Sequence, residues 1–507
     1  MKLALAVIGG IGGVAFLVIK YRTRASQERE EARADRREAE AKLVAAVEQL
    51  GSEFPQVRIA GVYALADVAD TYLGDYKQRV VNILCGYLRT KRGKFLERNP
   101  EKDMVEDADV KTGGEEAPRV YESDDGPVES TILEVFASHL RKQNAADTTV
   151  STAEVIASWS ECKFDLHGAC FIEPLNFEFK IFIGGITFKE CHFAREVGFS
   201  GSTFTGWAGF EGSTFTGPVG FDGSTFTGGA AFDGSTFTGR VGFEGSTFTG
   251  WTTFEGSTFE SGASFNRSTF ESGASFDRST FESRVTFDRS TFESGVAFDG
   301  STFTGRVGFE GSTFTGGAGF YGSTFESGVA FDDSTFHDWA NFDDSTFTGE
   351  ASFDGSTFNN WANFDGSTFT GGASFDHSAF NGGASFNRST FNHWASFNRS
   401  TFNGFASFYG STFNHWASFN RSTFNHWASF VASAFTGLAS FDSSTFNRRE
   451  QMDDEDSIGH SPFGSLPLEE NGLPKGARWD DDPMPSDDDT APEGSPPDGD
   501  TALPDEH

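Results

Sequence analysis

Cysteine is scarce in this 507-residue chain: Cys85, Cys162, Cys170 and Cys191 are scattered, which suits a reducing compartment and excludes a disulfide framework. Basic residues are also few, 39 Lys and Arg against 74 Asp and Glu, so a nucleic-acid-binding surface is not expected. Catalytic signatures are missing too. There is no phosphate-binding glycine loop with its lysine, no HExxH, no CxxC pair and no serine-histidine-carboxylate context outside repeated segments. No enzyme activity and no cofactor are expected. Long apolar runs are absent except for Leu3 to Ile19.

What the chain has in excess is phenylalanine, and it comes in rhythm. From Phe188 to Phe446 an eleven-residue unit typified by STFTGWAGFEG recurs about 24 times, with phenylalanines alternately five and six residues apart. Steps of five and six at about 100° per residue would scatter these rings around a helix. A strand reading fits better. The residue two before each phenylalanine is small or β-branched, as in Ser202 before Phe204 and Val219 before Phe221, so period-two alternation points both inward. Gly206 or Gly212 then provides the corner. Because five- and six-residue pieces alternate strictly, like sides stack on like only in a coil with an even number of sides. Four sides and about 22 residues per coil follow, and about 12 coils make a rod roughly 55–60 Å long.

A large apolar centre with a small residue two positions before it resembles the pentapeptide-repeat proteins. The resemblance implies an all-β solenoid, a right-handed quadrilateral β-helix. AVEQLGSEFPQVRIAGVYALADVAD followed by VVNILCGYLR is similar to the helical segment preceding the repeats in bacterial, chiefly actinobacterial, membrane-anchored members. It carries over no catalytic residue.

Leu3–Ile19 is followed by Lys20, Arg22 and Arg24, the flank of an uncleaved single-pass anchor rather than a cleaved leader. Basic residues on that side predict that everything after Lys20 lies in the cytoplasm. Gly9 and Gly13 form a GxxxG pair that could let two anchors dimerise. The expected organisation is therefore a transmembrane anchor at 3–19, a charged juxtamembrane helix at 25–50 and a helical region at 51–144 with an acidic loop at 99–129. A transition and cap at 145–187 and the β-helix at 188–449 follow. The stretch 450–507 holds eighteen acidic residues against Lys475 and Arg478, a net of about −16, and is expected to be a disordered acidic tail.

Two features point outward. The residue after alternate phenylalanines is mostly acidic, giving lines of like charge on two opposite sides, with Asp277, Asp299, Asp332 and Asp354 as candidate partner-binding residues. The extra residue of the six-residue piece holds most of the tryptophan, and Trp339 should stack on Trp361 and Trp394 on Trp416 as a contact strip or as corner cover. Past Asp376 the units become NHWASFNRSTF, carrying Arg388, Arg399 and Arg421. His393 and His415 should stack on one side, a product of repeat copying rather than a metal pair.

The leading reading is a membrane-anchored, non-catalytic scaffold for unknown protein partners. One alternative is a DNA-mimicking regulator of a DNA-binding enzyme such as a topoisomerase, because the acidic lines invite comparison with phosphates, although they are sparser. An extracellular structural rod or adhesin is the other, and it requires the opposite topology.

Overall fold

The computed structural model describes residues 2–72, 74–97, 119–142, 158–448 and 462–482, without the side chains of residues 2–19, 25, 94–97 and 119–122. Helix α1 (Lys2–Leu50) is one continuous helix, so the anchor and the juxtamembrane helix expected as two elements are not separated by a break. Its stretch 20–38 is almost wholly exposed. Among the described residues no helix is long and apolar enough to cross a membrane, and the side chains of the Leu3–Ile19 run lie outside those residues.

The C-terminal end of α1 begins a small bundle. Ala39, Leu43, Ala46 and Leu50 fall at helical spacing on one face and are buried against α2 (Pro55–Thr71), which opens on a proline that its first turn tolerates. The two helices meet closely at Gly61, where a Cβ would lie 2.6 Å from the backbone nitrogen of Leu50. Helix α3 (Tyr76–Leu88) follows. Strand β1 (Lys94–Glu97) then pairs antiparallel with β2 (Arg119–Glu122), and α4 (Gly126–His139) completes the bundle. Both β2 and the start of α4 fall inside the stretch expected to be an acidic loop at 99–129. Phe95, Val120 and Tyr121 favour strand, and Pro127 sits in the first turn of α4, signals that the surrounding acidity concealed. Residues 98–118 and 143–157 lie outside the described residues.

The bundle closes one end of the rod. Glu129, fully buried on α4, accepts the backbone N–H groups of Ile172 and Glu173 at 2.8 and 3.0 Å. Arg92 holds the same carboxylate at 2.5 Å and donates to the Cys170 carbonyl at 2.6 Å. A buried carboxylate would otherwise be costly, and burial does push the Glu129 carboxyl upward; the arginine and the two amides oppose that shift. Trp159 packs beneath His139 with ring centroids 4.3 Å apart and donates its indole N–H to Asp70 at 3.0 Å.

Strand β3 (Arg141–Lys142) pairs antiparallel with β7 (Lys180–Phe182) on the first coil. The coils run from β4 (Phe164–Asp165) to β55 (Thr445–Phe446), and each strand before the last coil pairs in parallel with the one 22 residues on, as Phe204 with Phe226 and Val219 with Val241. Three sheets have 13 strands, and the fourth has 15 because β3 and β56 (Arg478–Trp479) extend it at either end. This is the four-sided coil that the alternating spacing predicts, with 13 coils instead of about 12. Regular coiling already starts at Phe164, inside the expected transition. At about 4.8 Å per coil the rod is roughly 60 Å long.

Side 1 carries Phe188, Phe210 and Phe232, side 2 Phe193 and Phe215, side 3 Phe199 and Phe221, and side 4 Phe204 and Phe226. Within each side the rings stack in parallel, with centroids typically 4.6–5.0 Å apart, as in Phe232–Phe254 and Phe204–Phe226. Rings from sides 1 and 3 meet edge-to-face across the axis, Phe232 and Phe243 at 5.5 Å and 85°. The interior is thereby filled.

The far end contradicts the expectation of disorder throughout 450–507. Residues 462–482 form a cap in which Phe463, Leu473 and Trp479 are buried, and β56 pairs with β55. The average composition of the tail is acidic, but these few apolar residues are enough to cover a phenylalanine-lined end. Residues 449–461 and 483–507 lie outside the described residues.

Candidate functional site

The buried serine two residues before each phenylalanine on sides 2 and 4 from Phe204 onward has a definite task. Ser224 Oγ donates to the Phe199 carbonyl at 2.7 Å and Ser290 Oγ to the Phe265 carbonyl at 2.6 Å, each reaching into the preceding coil. The hydroxyl also accepts, for example from the Ser268 N–H at 3.3 Å. Cys191 occupies the same slot, and its thiol donates to Leu166 at 2.9 Å; burial pushes that thiol well up. All four cysteines are free.

The acidic lines lie on sides 1 and 3, opposite one another as expected, with Asp277 and Asp299 on the first and Asp332 and Asp354 on the second. Their carboxylates are half-buried and occupied. Asp277 Oδ1 accepts the Asp299 N–H at 2.9 Å, and Asp299 Oδ1 accepts the Tyr321 N–H at 2.9 Å. On side 3, Asp332 Oδ1 accepts the Asp354 N–H at 3.1 Å and also the Ser352 hydroxyl, and Asp354 does the same for Asp376 and Ser374. Every Asp or Asn in this slot from Asp222 to Asn420 makes the bond to the amide 22 residues on. Glutamates in the same slot, Glu211, Glu244, Glu255 and Glu310, make no such bond, because the extra methylene carries the carboxylate past the amide. Glu244 and Glu255 instead pair with Arg267 and Arg278 of the next coil.

Burial is the main cause that raises the carboxyls of Asp222, Asp288, Asp299 and Asp354 above the usual range, and it pushes Asp343 up to about 6. The acidic lines are thus amide-binding ladders. Asn387, Asn398 and Asn420 fit the slot because it asks for an oxygen at that reach, not for a charge. The sequence offered one clue, the interchange of Asp with Asn.

The tryptophans occupy two diagonally opposite corners, Trp339 and Trp361 on one and Trp394 and Trp416 on the other. The expected Trp339–Trp361 stack is absent among the described residues, because the two rings turn apart. Trp339 lies over Gly317 in the coil before it and Trp361 over Gly383 in the coil after it, where an added Cβ would sit 2.2 and 2.0 Å from the rings. Trp394 likewise covers Gly372, and no ring contact joins it to Trp416. Only a glycine leaves room for the neighbouring ring, which favours the corner-cover reading. Trp339 and Trp361 nevertheless remain 46% and 43% exposed, so they still offer a surface. His393 and His415 do stack, at 5.3 Å, and no metal-binding group occurs among the described residues.

Two shallow clefts stand out, and neither enters the phenylalanine core. One of about 320 Å³ lies on side 3 beside Asp288, Arg289, Glu310 and Asp332; the other, of about 370 Å³, lies in the bundle beside Arg58, Tyr87, Arg92 and Asp125. Asp125 there accepts from Arg58 at 2.9 Å and from the Tyr87 hydroxyl at 2.9 Å.

The family of pentapeptide repeats matches in nine copies, among them overlapping spans that run from residue 181 to residue 401. This chain is a pentapeptide-repeat protein. No curated protein and no solved structure matches it. Its repeats depart from strict fives at the sixth residue, and in the pentapeptide-repeat rod that residue is the corner position bearing tryptophan, glycine or arginine. The printed spans lie within the solenoid, whose coils run from Phe164 to Phe446.

Proposed function

We propose that this pentapeptide-repeat protein is a non-catalytic scaffold, held at a membrane by Leu3–Ile19, that presents the outside of its rod to protein partners. The observation carrying the reading is the filled interior. Stacked phenylalanines leave no room for a substrate, whereas the corners expose Trp339 and Trp361 and sides 1 and 3 carry long, regular polar columns. Pairing of two chains through Gly9 and Gly13, and a cytoplasmic rod, belong to the same proposal.

The half-buried, amide-bonded aspartates make a DNA-like surface a poor alternative, since a phosphate mimic needs charges facing water. The test uses the full chain in cells, with photocrosslinkers in place of Trp339 or Trp361. A scaffold at a membrane gives a discrete protein adduct in the membrane fraction, and deleting residues 2–19 releases the chain from that fraction. A chain that stays soluble with its anchor intact, or corners that form no adduct, would refute the reading.

A further inference from the structure

The distal coils carry an electrostatic imbalance. Between His377 and Phe441 there is no Asp or Glu, yet Arg388, Arg399 and Arg421 stand exposed. His377, Arg399 and Arg421 are 22 apart, occupy the same left-handed turn position at φ 59°, 58° and 59°, and therefore form one column on side 3. Arg399 Nη1 lies 3.3 Å from His377 Nε2, and neither Arg388 nor Arg399 has a carboxylate partner among the described residues. Earlier in the rod, two of the three arginines at the same turn position, Arg267 and Arg278, each face a glutamate, and the third, Arg289, lies in the side 3 cleft with Asp288 and Glu310.

Complementary charge begins where the cap ends. Three consecutive acids already grip Arg448, just past the last strand of the rod: Asp480 accepts the Arg448 N–H at 3.0 Å, Asp481 binds Nε at 2.8 Å and Asp482 binds Nη2 at 2.9 Å. Beyond them, residues 483–507 contain Asp487, Asp488, Asp489, Glu493, Asp498 and further acids, with no lysine or arginine. At about 3.3 Å per residue this segment spans roughly 80 Å extended, while the acid-free belt is only about 15 Å tall.

We propose that residues 483–507 return along the outside of the rod and cover the acid-free arginine and histidine belt of coils 377–441. Tethering at Asp482 gives the segment a local concentration in the millimolar range, so it outcompetes untethered anions of similar charge. The contact is electrostatic and exposed, and salt therefore weakens it. Covering the belt would leave the acidic coils and the proximal tryptophan corner as the open surface of the scaffold, although the contact does not depend on that function.

The test is photocrosslinking in the purified full chain, with a photoreactive phenylalanine analogue replacing Ser486. Adducts within the same chain are expected on peptides from 377–441, falling about fivefold or more at roughly 0.5 M salt. A similar fall is expected for the double variant R388G, R399G, which keeps the fold because glycine suits that turn position, as Gly410 at φ 67° does. Adducts confined to the acidic coils or the bundle, adducts only between chains, no adducts, or yields indifferent to salt and to both substitutions would each overturn the proposal.

Discussion

At the residue scale, small polar groups decide this fold as much as the phenylalanines do. Ser290 is fully buried, and its hydroxyl both donates to Phe265 and accepts from Ser268. S290A should cost about 1–2 kcal/mol by removing that donor, and S290C should cost less, since Cys191 shows that a thiol can serve the slot. Chemical denaturation of the purified rod checks the order. Asp343 gives a prediction of opposite sign. Its carboxyl is pushed up to about 6 in the folded rod from an ordinary value of 3.8, chiefly by burial, so the folded state holds the proton more tightly. Its contribution therefore favours folding at low pH and is lost as pH rises from about 4 through 6. D343N should raise stability at pH 7 by up to about 1 kcal/mol after allowing for its exposure, with no gain near pH 4. A denaturation series over pH for the two proteins reads this directly.

At the element scale, each two-residue strand is too short to stand alone, and only pairing with the coils on either side holds it. The ends are thus the vulnerable elements. The bundle seals one end through Glu129, and the cap of residues 462–482 seals the other. Trp479 is 97% buried in the cap, with Arg448 stacked 5.0 Å over its ring. W479A should cost about 3–5 kcal/mol locally and expose the edge of β55, so the variant should lose amide protection in coils 424–446 first and associate end to end. Hydrogen exchange resolved along the chain measures this, and uniform loss of protection would contradict it. The cap was the element least legible in the sequence. Phe463, Leu473 and Trp479 follow no period and lie among acids, so composition pointed to disorder. The strands β1 and β2 were hidden for a related reason, being four residues each beside a long acidic stretch.

At the scale of the whole molecule, the rod was legible because one spacing, alternately five and six, fixes both the number of sides and the register. What that spacing could not reveal is the direction of hydrogen bonds. Asp277 and Asp299 read as outward charge, yet each carboxylate spends one oxygen on the next coil's amide. The tryptophan corners were placed correctly in sequence, but the way each ring turns depends on which neighbouring coil offers a glycine, as Gly317 and Gly383 do. The account's central claim is that the acidic columns are amide-binding ladders of the rod and not a phosphate-like surface. The most direct test compares unfolding midpoints at pH 7 for two quadruple variants at Asp277, Asp299, Asp332 and Asp354, one to Asn and one to Ala. The Asn variant should be as stable as the parent or more so, and the Ala variant should lose about 2–6 kcal/mol in all as four amides lose their acceptor. Equal behaviour of the two variants, or destabilisation by Asn, would contradict the account.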